Sequence, residues 1–100
     1  MSDKELYSGM IRLHILYHAS KGPIFGLWII EELGRHGYKL SPGTLYPILH
    51  AMERKGYLRS AKKREGRQVR RLYRTTPSGR KALAAATIKV RELVGELFED

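Results

Sequence analysis

The chain has 100 residues, no cysteine and 42% hydrophobic side chains. This amounts to one domain with a modest core, and it excludes a disulfide framework and thiolate chemistry. The net charge of +9 is unevenly placed: residues 1–53 balance to zero, residues 54–81 carry twelve basic groups against one acid (Glu65), and residues 82–100 are slightly acidic. A merely solubilising surface intersperses both signs, so a 28-residue stretch this basic points to a polyanionic partner.

Residues 3–20 read as a helix, with Leu6, Met10, Leu13 and Tyr17 at helical spacing and Ile11, Ile15 and Leu16 widening the apolar face. So broad a face predicts burial on more than one side. Lys21-Gly22-Pro23 breaks it. A second helix is expected over 24–36, with Pro23 at its first turn, Gly26, Ile29, Ile30 and Leu33 as its stripe, and Gly37 as its stop. Trp28 falls on another face, beside Glu31, Glu32 and Arg35. After an extended link at Tyr38-Lys39-Leu40, a third helix is expected over 41–55, with Ser41 as N-cap, Pro42 in the first turn, and Leu45, Ile48, Leu49 and Met52 buried. Pro47 cannot donate to the carbonyl of Gly43, so this helix either starts near Thr44 or bends. Gly56 ends it.

Residues 57–75 carry two strand-like pieces, Tyr57-Leu58 and Val69 with Leu72-Tyr73, around an Arg64-Glu65-Gly66-Arg67 tract that reads as a hairpin tip. The last helix is expected over 76–99, capped by Thr76. Its Gly79, Leu83, Ala86, Val90, Leu93 and Leu97 recur at spacings 4, 3, 4, 3, 4, widened by Val94 and Phe98. A terminal seam of this kind wants a partner helix, and a second copy of the chain is the preferred one.

Three helices followed by a basic hairpin is the order of a winged helix-turn-helix, in which the third helix enters the major groove. Opposite its buried stripe lie Gly43, Tyr46, Pro47, His50 and Arg54, which offer a phenol, an imidazole and a guanidinium to phosphates or base edges. Ser41 and Thr44 stand at the end where free backbone N–H groups favour an anion. Lys62, Lys63, Arg64, Arg67, Arg70 and Arg71 cluster at or near the hairpin tip, suited to phosphates or the minor groove.

From Ile15 to Gly79 the sequence resembles the PadR family of bacterial transcriptional regulators. The resemblance rests on Lys21-Gly22-Pro23-Ile24-Phe25-Gly26, on Ile29-Ile30-Glu31-Glu32-Leu33, and most specifically on Ser41-Pro42-Gly43-Thr44-Leu45-Tyr46-Pro47-Ile48-Leu49-His50. Met52-Glu53, Gly56-Tyr57-Leu58, Tyr73-Arg74-Thr75-Thr76 and Gly79 complete it. It implies a winged-helix dimer on operator DNA, with helices near both chain ends building the dimer and Thr44 and Tyr46 in the DNA-facing helix. It also implies a repressor released by a small aromatic or lipophilic effector. Where the family often has a tyrosine and an acid after Gly26, this chain has Leu27 and Trp28.

The expected fold is therefore mainly α with a small β-hairpin: a winged-helix DNA-binding domain over 1–75 and a dimerisation helix over 76–100. The expected dimer contacts are Leu6, Met10, Leu13, Leu83, Ala86, Val90, Leu93, Val94 and Leu97, and the candidate effector residue is Trp28. The expected partners are double-stranded DNA, a second copy of the chain and a small effector. Two other readings are a module docking its basic hairpin on an acidic protein, and an RNA binder. The second is disfavoured by the lack of paired aromatics for stacking bases. Nothing here reads as catalytic machinery: there is no phosphate-cradling glycine loop, nucleophile elbow or HExxH, so no enzyme and no cofactor is expected. Metal is not expected either, because of His14, His18, His36 and His50 only the first two have i, i+4 spacing and no cysteine accompanies them. No signal peptide is read, no apolar run exceeds Leu27-Trp28-Ile29-Ile30, and a cytoplasmic location is expected.

Overall fold

A computed structural model describes residues 3–99. Its elements are α1 (Asp3–Lys21), β1 (Ile24–Phe25), α2 (Gly26–Arg35), α3 (Pro42–Arg54), β2 (Leu58–Glu65), β3 (Gln68–Thr75) and α4 (Pro77–Leu97). The architecture is mainly helical, with one antiparallel sheet of order β1-β3-β2. Ile15 and Leu16 of α1, Ile29 and Leu33 of α2, Leu45 and Leu49 of α3, and Leu58 and Tyr73 of the sheet meet in a single core.

Two helix stops follow the sequence closely. Gly37 and Gly56 both have positive φ, +87° and +84°. At each, the glycine N–H and the next N–H turn back to the last helical turn: Gly37 to Gly34 O and Tyr38 to Leu33 O, then Gly56 to Glu53 O and Tyr57 to Met52 O. These are Schellman ends, and the left-handed residue is glycine because a Cβ there is strained.

Two local expectations are corrected and a third is narrowed. Pro23 does not open α2: Ile24 and Phe25 form a short strand paired with Tyr73 and Leu72, and the helix starts at Gly26. Two residues are too few to show strand periodicity, and their pairing partner lies some fifty residues on. Ser41 holds the N-cap position of α3, yet its hydroxyl makes no cap bond and donates to Thr44 Oγ1 at 3.3 Å. Of the two alternatives expected at Pro47, the late start is excluded: α3 runs from Pro42 to Arg54 with Pro47 inside it. The carbonyl it leaves unpaired belongs to Gly43, which is exposed and open to water.

Thr76 caps α4 as expected, its hydroxyl oxygen accepting from Gly79 N at 3.0 Å. The same hydroxyl donates to Gly56 O, and Thr76 N donates to Tyr57 O at 3.1 Å, so the start of α4 is tied to the end of α3. Gly79 is buried there, and a Cβ on it would overlap the Tyr57 carbonyl oxygen. Gly79→Ala should therefore lower stability by about 1–3 kcal/mol in urea unfolding, because a fixed backbone oxygen must move. Gly9→Ala, mid-helix in α1 with nothing within 4 Å, should instead gain roughly 0.5–1 kcal/mol.

Candidate nucleic-acid interface

The hairpin tip is a two-residue loop, Gly66-Arg67, between Glu65 and Gln68, which pair with each other. Gly66 has φ +61°, and no non-glycine residue among those described has positive φ, the pattern of a type II′ turn. This turn sets the register of two eight-residue strands. Register then places Lys62 opposite Arg71, Lys63 opposite Arg70, and Arg59 opposite Arg74. Like charges directly across a ladder repel. The one acid within the hairpin itself, Glu65, reaches Lys63 at 3.8 Å with both side chains about half exposed, so it offsets little. The wing thus holds more cationic charge than its own residues neutralise.

Side chains alternate across the sheet. Leu58, Ser60, Lys62 and Arg64 of β2 share a face with Thr75, Tyr73, Arg71 and Val69 of β3. That face starts in the core, where Leu58, Tyr73 and Thr75 are buried, and runs outward to the cations. It is fastened to α3: the Glu53 carboxylate accepts from Ser60 N at 3.0 Å and from Ser60 Oγ at 2.8 Å, and Arg71 Nη1 donates to Ser60 Oγ at 2.9 Å. Burial raises the Tyr73 phenol above its ordinary pKa, the nearby Arg71 opposing the shift, and its hydroxyl has no hydrogen-bond partner among the described residues. On the other face Arg70 lies over the Phe25 ring, 5.1 Å from its centroid.

On α3, Ser41, His50 and Arg54 are exposed and Thr44 is half-buried. Tyr46 is placed differently from the outward position expected of it. It is half-buried and packed on the core, its phenol end against Gly26, where any Cβ would strike it. The reason is angular: Tyr46 neighbours Leu45 and lies one turn before Leu49, both fully buried, so it sits at the edge of the apolar stripe. Its ring is 6.3 Å from that of His50, and with Phe25, Gly26, Leu27, Val69, Arg70 and Arg71 it lines a depression of about 280 Å³ between the start of α2 and the wing. Lys62, Lys63, Arg64, Arg67, Arg70 and Arg71 are all exposed.

The role of Glu53 was not legible in the sequence, where it stands beside Arg54 at the end of a helix with no other formal charge. Its partner lies seven residues on in another element. Nor does linear spacing show that His36 joins His14 and His18, with ring centroids of His14 and His36 at 4.5 Å. Burial holds the His14 imidazole below its ordinary pKa, with His36 and His18 pushing the same way. Burial pulls the Glu32 carboxyl upward, but hydrogen bonds from Arg35 and His36 outweigh it and hold it below the ordinary carboxylate value. Trp28 is 41% exposed and stands edge-on to His18 at 5.3 Å, away from α3 and the wing.

The architecture, three helices and a paired wing, is that of a winged helix-turn-helix regulator. The sequence profile of the transcriptional regulator PadR-like family matches residues 15–85, and the chain belongs to that family. It is 45% identical over 95 residues to the transcriptional regulator Rv3488 of Mycobacterium tuberculosis, covering 95% of this chain and 89% of the relative. The crystal structure of a PadR family transcriptional regulator from Eggerthella lenta matches with a TM-score of 0.81 at 31% identity, over 95% of this chain and 87% of that one. A PadR-like transcription factor from Bacteroides fragilis shares the fold at a TM-score of 0.82 and 23% identity, over 95% and 93% of the two chains. The protein is a transcriptional regulator and not an enzyme, and DNA is its partner. No helix among the described residues is long and apolar enough to cross a membrane.

Removing the Glu53 clasp strands the Ser60 N–H and frees the wing. Glu53→Ala should lower stability by about 1–3 kcal/mol in urea unfolding. Its amide exchange should rise across β2 and β3 more than in α1. Uniform exchange would show that Glu53 does not hold the wing.

Proposed function

We propose that the protein is a homodimeric repressor that binds an inverted-repeat operator, with α3 in the major groove and the wing on the phosphate backbone. The observation that carries this reading is the fastening of a strongly cationic hairpin to the flank of α3, beside its exposed His50 and Arg54, through Glu53, Ser60 and Arg71. A phosphate backbone relieves the cross-strand repulsion between Lys62 and Arg71 and between Lys63 and Arg70, and counterions are released when it does. In this reading His50 and Arg54 reach into the groove and Ser41 and Thr44 approach the backbone. Tyr46 acts at the inner edge, setting the ring of His50 and the distance between α3 and α2.

Dimerisation is supported by α4. From Thr87 onward every residue described is exposed, including Ile88, Val90, Leu93, Val94, Leu97 and Phe98. Three solvated turns with so many apolar side chains are unstable as a lone helix. Leu6 and Met10 of α1 are exposed as well, while Leu13, Leu83 and Ala86 are half-buried between α1 and α4. A second copy laid along this surface covers all nine expected dimer residues and completes the division into a reading domain (1–75) and a pairing helix (76–100). It also sets two α3 helices one turn of DNA apart, roughly 34 Å. Release by a small aromatic or lipophilic effector fits the same scheme, with Trp28 as the candidate contact.

If about six phosphates are neutralised, log affinity should fall with log salt at a slope of roughly −5. Arg64→Ala and Lys63→Ala should each flatten that slope by about one and weaken specific and random duplexes alike. His50→Ala should weaken the operator more than random DNA, and equal losses on both would remove His50 from sequence reading. Leu93→Glu should sediment as a monomer and lose the paired site. A dimeric Leu93→Glu variant would move the interface elsewhere.

A further inference from the structure

Between α1, α2 and the middle of α4 lies a groove of about 560 Å³, with apolar walls that include Met10, Leu13, Leu83 and Val90. The rest of its lining is different in kind and includes His14, His18, His36 and Glu32. His14 and His18 are one helical turn apart on α1 and half-buried, and His36 is the C-cap of α2. One ring nitrogen from each of the three falls within 4.8 Å of the other two. Glu32 stands beside them in a fixed pose. Arg35 Nη1 holds its Oε1 at 2.8 Å, which leaves Oε2 turned to the imidazoles, 3.0 Å from His36 Nε2 and 3.7 Å from His18 Nε2.

We propose that His14, His18, His36 and Glu32 form a binding site for one divalent transition-metal ion per chain, of the Zn²⁺ class. Three imidazoles and one carboxylate are a four-ligand set for a borderline ion that prefers nitrogen, and they do not suit Mg²⁺ or Ca²⁺, which need several oxygens. Ligand nitrogens about 2.0–2.1 Å from a tetrahedral ion lie roughly 3.3 Å from one another. The rings therefore need to close by at most about 1.5 Å, which side-chain rotation in an open groove allows. The second oxygen of Glu32 is already anchored by Arg35, the kind of outer contact that orients a ligand. As a purely structural polar seam the cluster would be odd, because it spends three imidazoles on a single carboxylate. None of the four ligands belongs to α3, the wing or the expected dimer contacts, while the groove walls Met10, Leu13, Leu83 and Val90 are shared with the proposed pairing surface, so metal binding and DNA binding are read separately. An ion there ties α1 to the C-terminal end of α2.

Trp28, the only tryptophan of the chain and 5.3 Å from His18, reports on the site. The test is titration of the full chain, free of affinity tag and stripped with chelator, with ZnCl₂, NiCl₂ and MgCl₂, followed by calorimetry and by Trp28 fluorescence. One Zn²⁺ per chain should bind, Ni²⁺ should quench Trp28 saturably, and Mg²⁺ in excess should displace neither. His14→Gln, His36→Asn and Glu32→Gln should each weaken Zn²⁺ by at least about 10-fold, while His50→Asn, away from the cluster, should leave it unchanged. His36 is exposed, so its substitution keeps the test valid if His14→Gln fails to fold. Wild-type and His36→Asn proteins binding Zn²⁺ equally, or no saturable binding by the wild type, would overturn the site. Retained binding of short duplex DNA in either case would leave the operator reading intact.

Discussion

The placement of the wing against α3 hangs on one carboxylate. A two-stranded ribbon is marginal by itself, and this one carries like charges opposite one another at three positions of its ladder. Its root is buried through Leu58 and Tyr73, but the core stops there. Beyond that point Glu53 fixes the ribbon, by accepting from both the backbone and the hydroxyl of Ser60 while Arg71 closes on the same hydroxyl. An acidic residue on an otherwise basic surface weakens attraction to DNA if it is exposed and free. Here it is half-buried and engaged, and it sets where the cations stand.

Stability and function pull against each other along the same hairpin. A ribbon selected only for folding would place acids opposite Lys62, Lys63 and Arg59. The observed pairs give up several small cross-strand contributions and keep a field that a polyanion satisfies. Glycines serve the same end where close approach is needed. Gly79 lets the start of α4 lie on the Tyr57 carbonyl, and Gly26 leaves room for the Tyr46 phenol, which spaces α2 from α3. The apolar length of α4 beyond Ala86 is a second such compromise: it lowers the stability of the isolated chain and leaves a surface that a second copy can cover.

The His14, His18, His36 and Glu32 cluster lines the apolar groove between α1, α2 and α4, beside the proposed pairing surface. α2 packs on both α1 and α3, so the cluster and the proposed reading helix share one neighbouring element.

Local chemistry determined a good part of this protein. The charge asymmetry, the two glycine helix stops, the Thr76 cap, the Gly66 turn and the seam of α4 all act within a few residues of sequence, where spacing and backbone preference are sufficient. The motif from Ser41 to His50 likewise carried the family. The tertiary structure decided whatever depends on residues far apart in the chain. It paired Ile24-Phe25 with β3, turned Tyr46 inward against Gly26, bound Glu53 to Ser60, and brought His36 from the end of α2 to two histidines on α1. Periodicity reports which side of an element is apolar. It does not report which neighbour arrives on the other side, because that is set by how the elements pack around Ile15, Leu33, Leu49 and Tyr73.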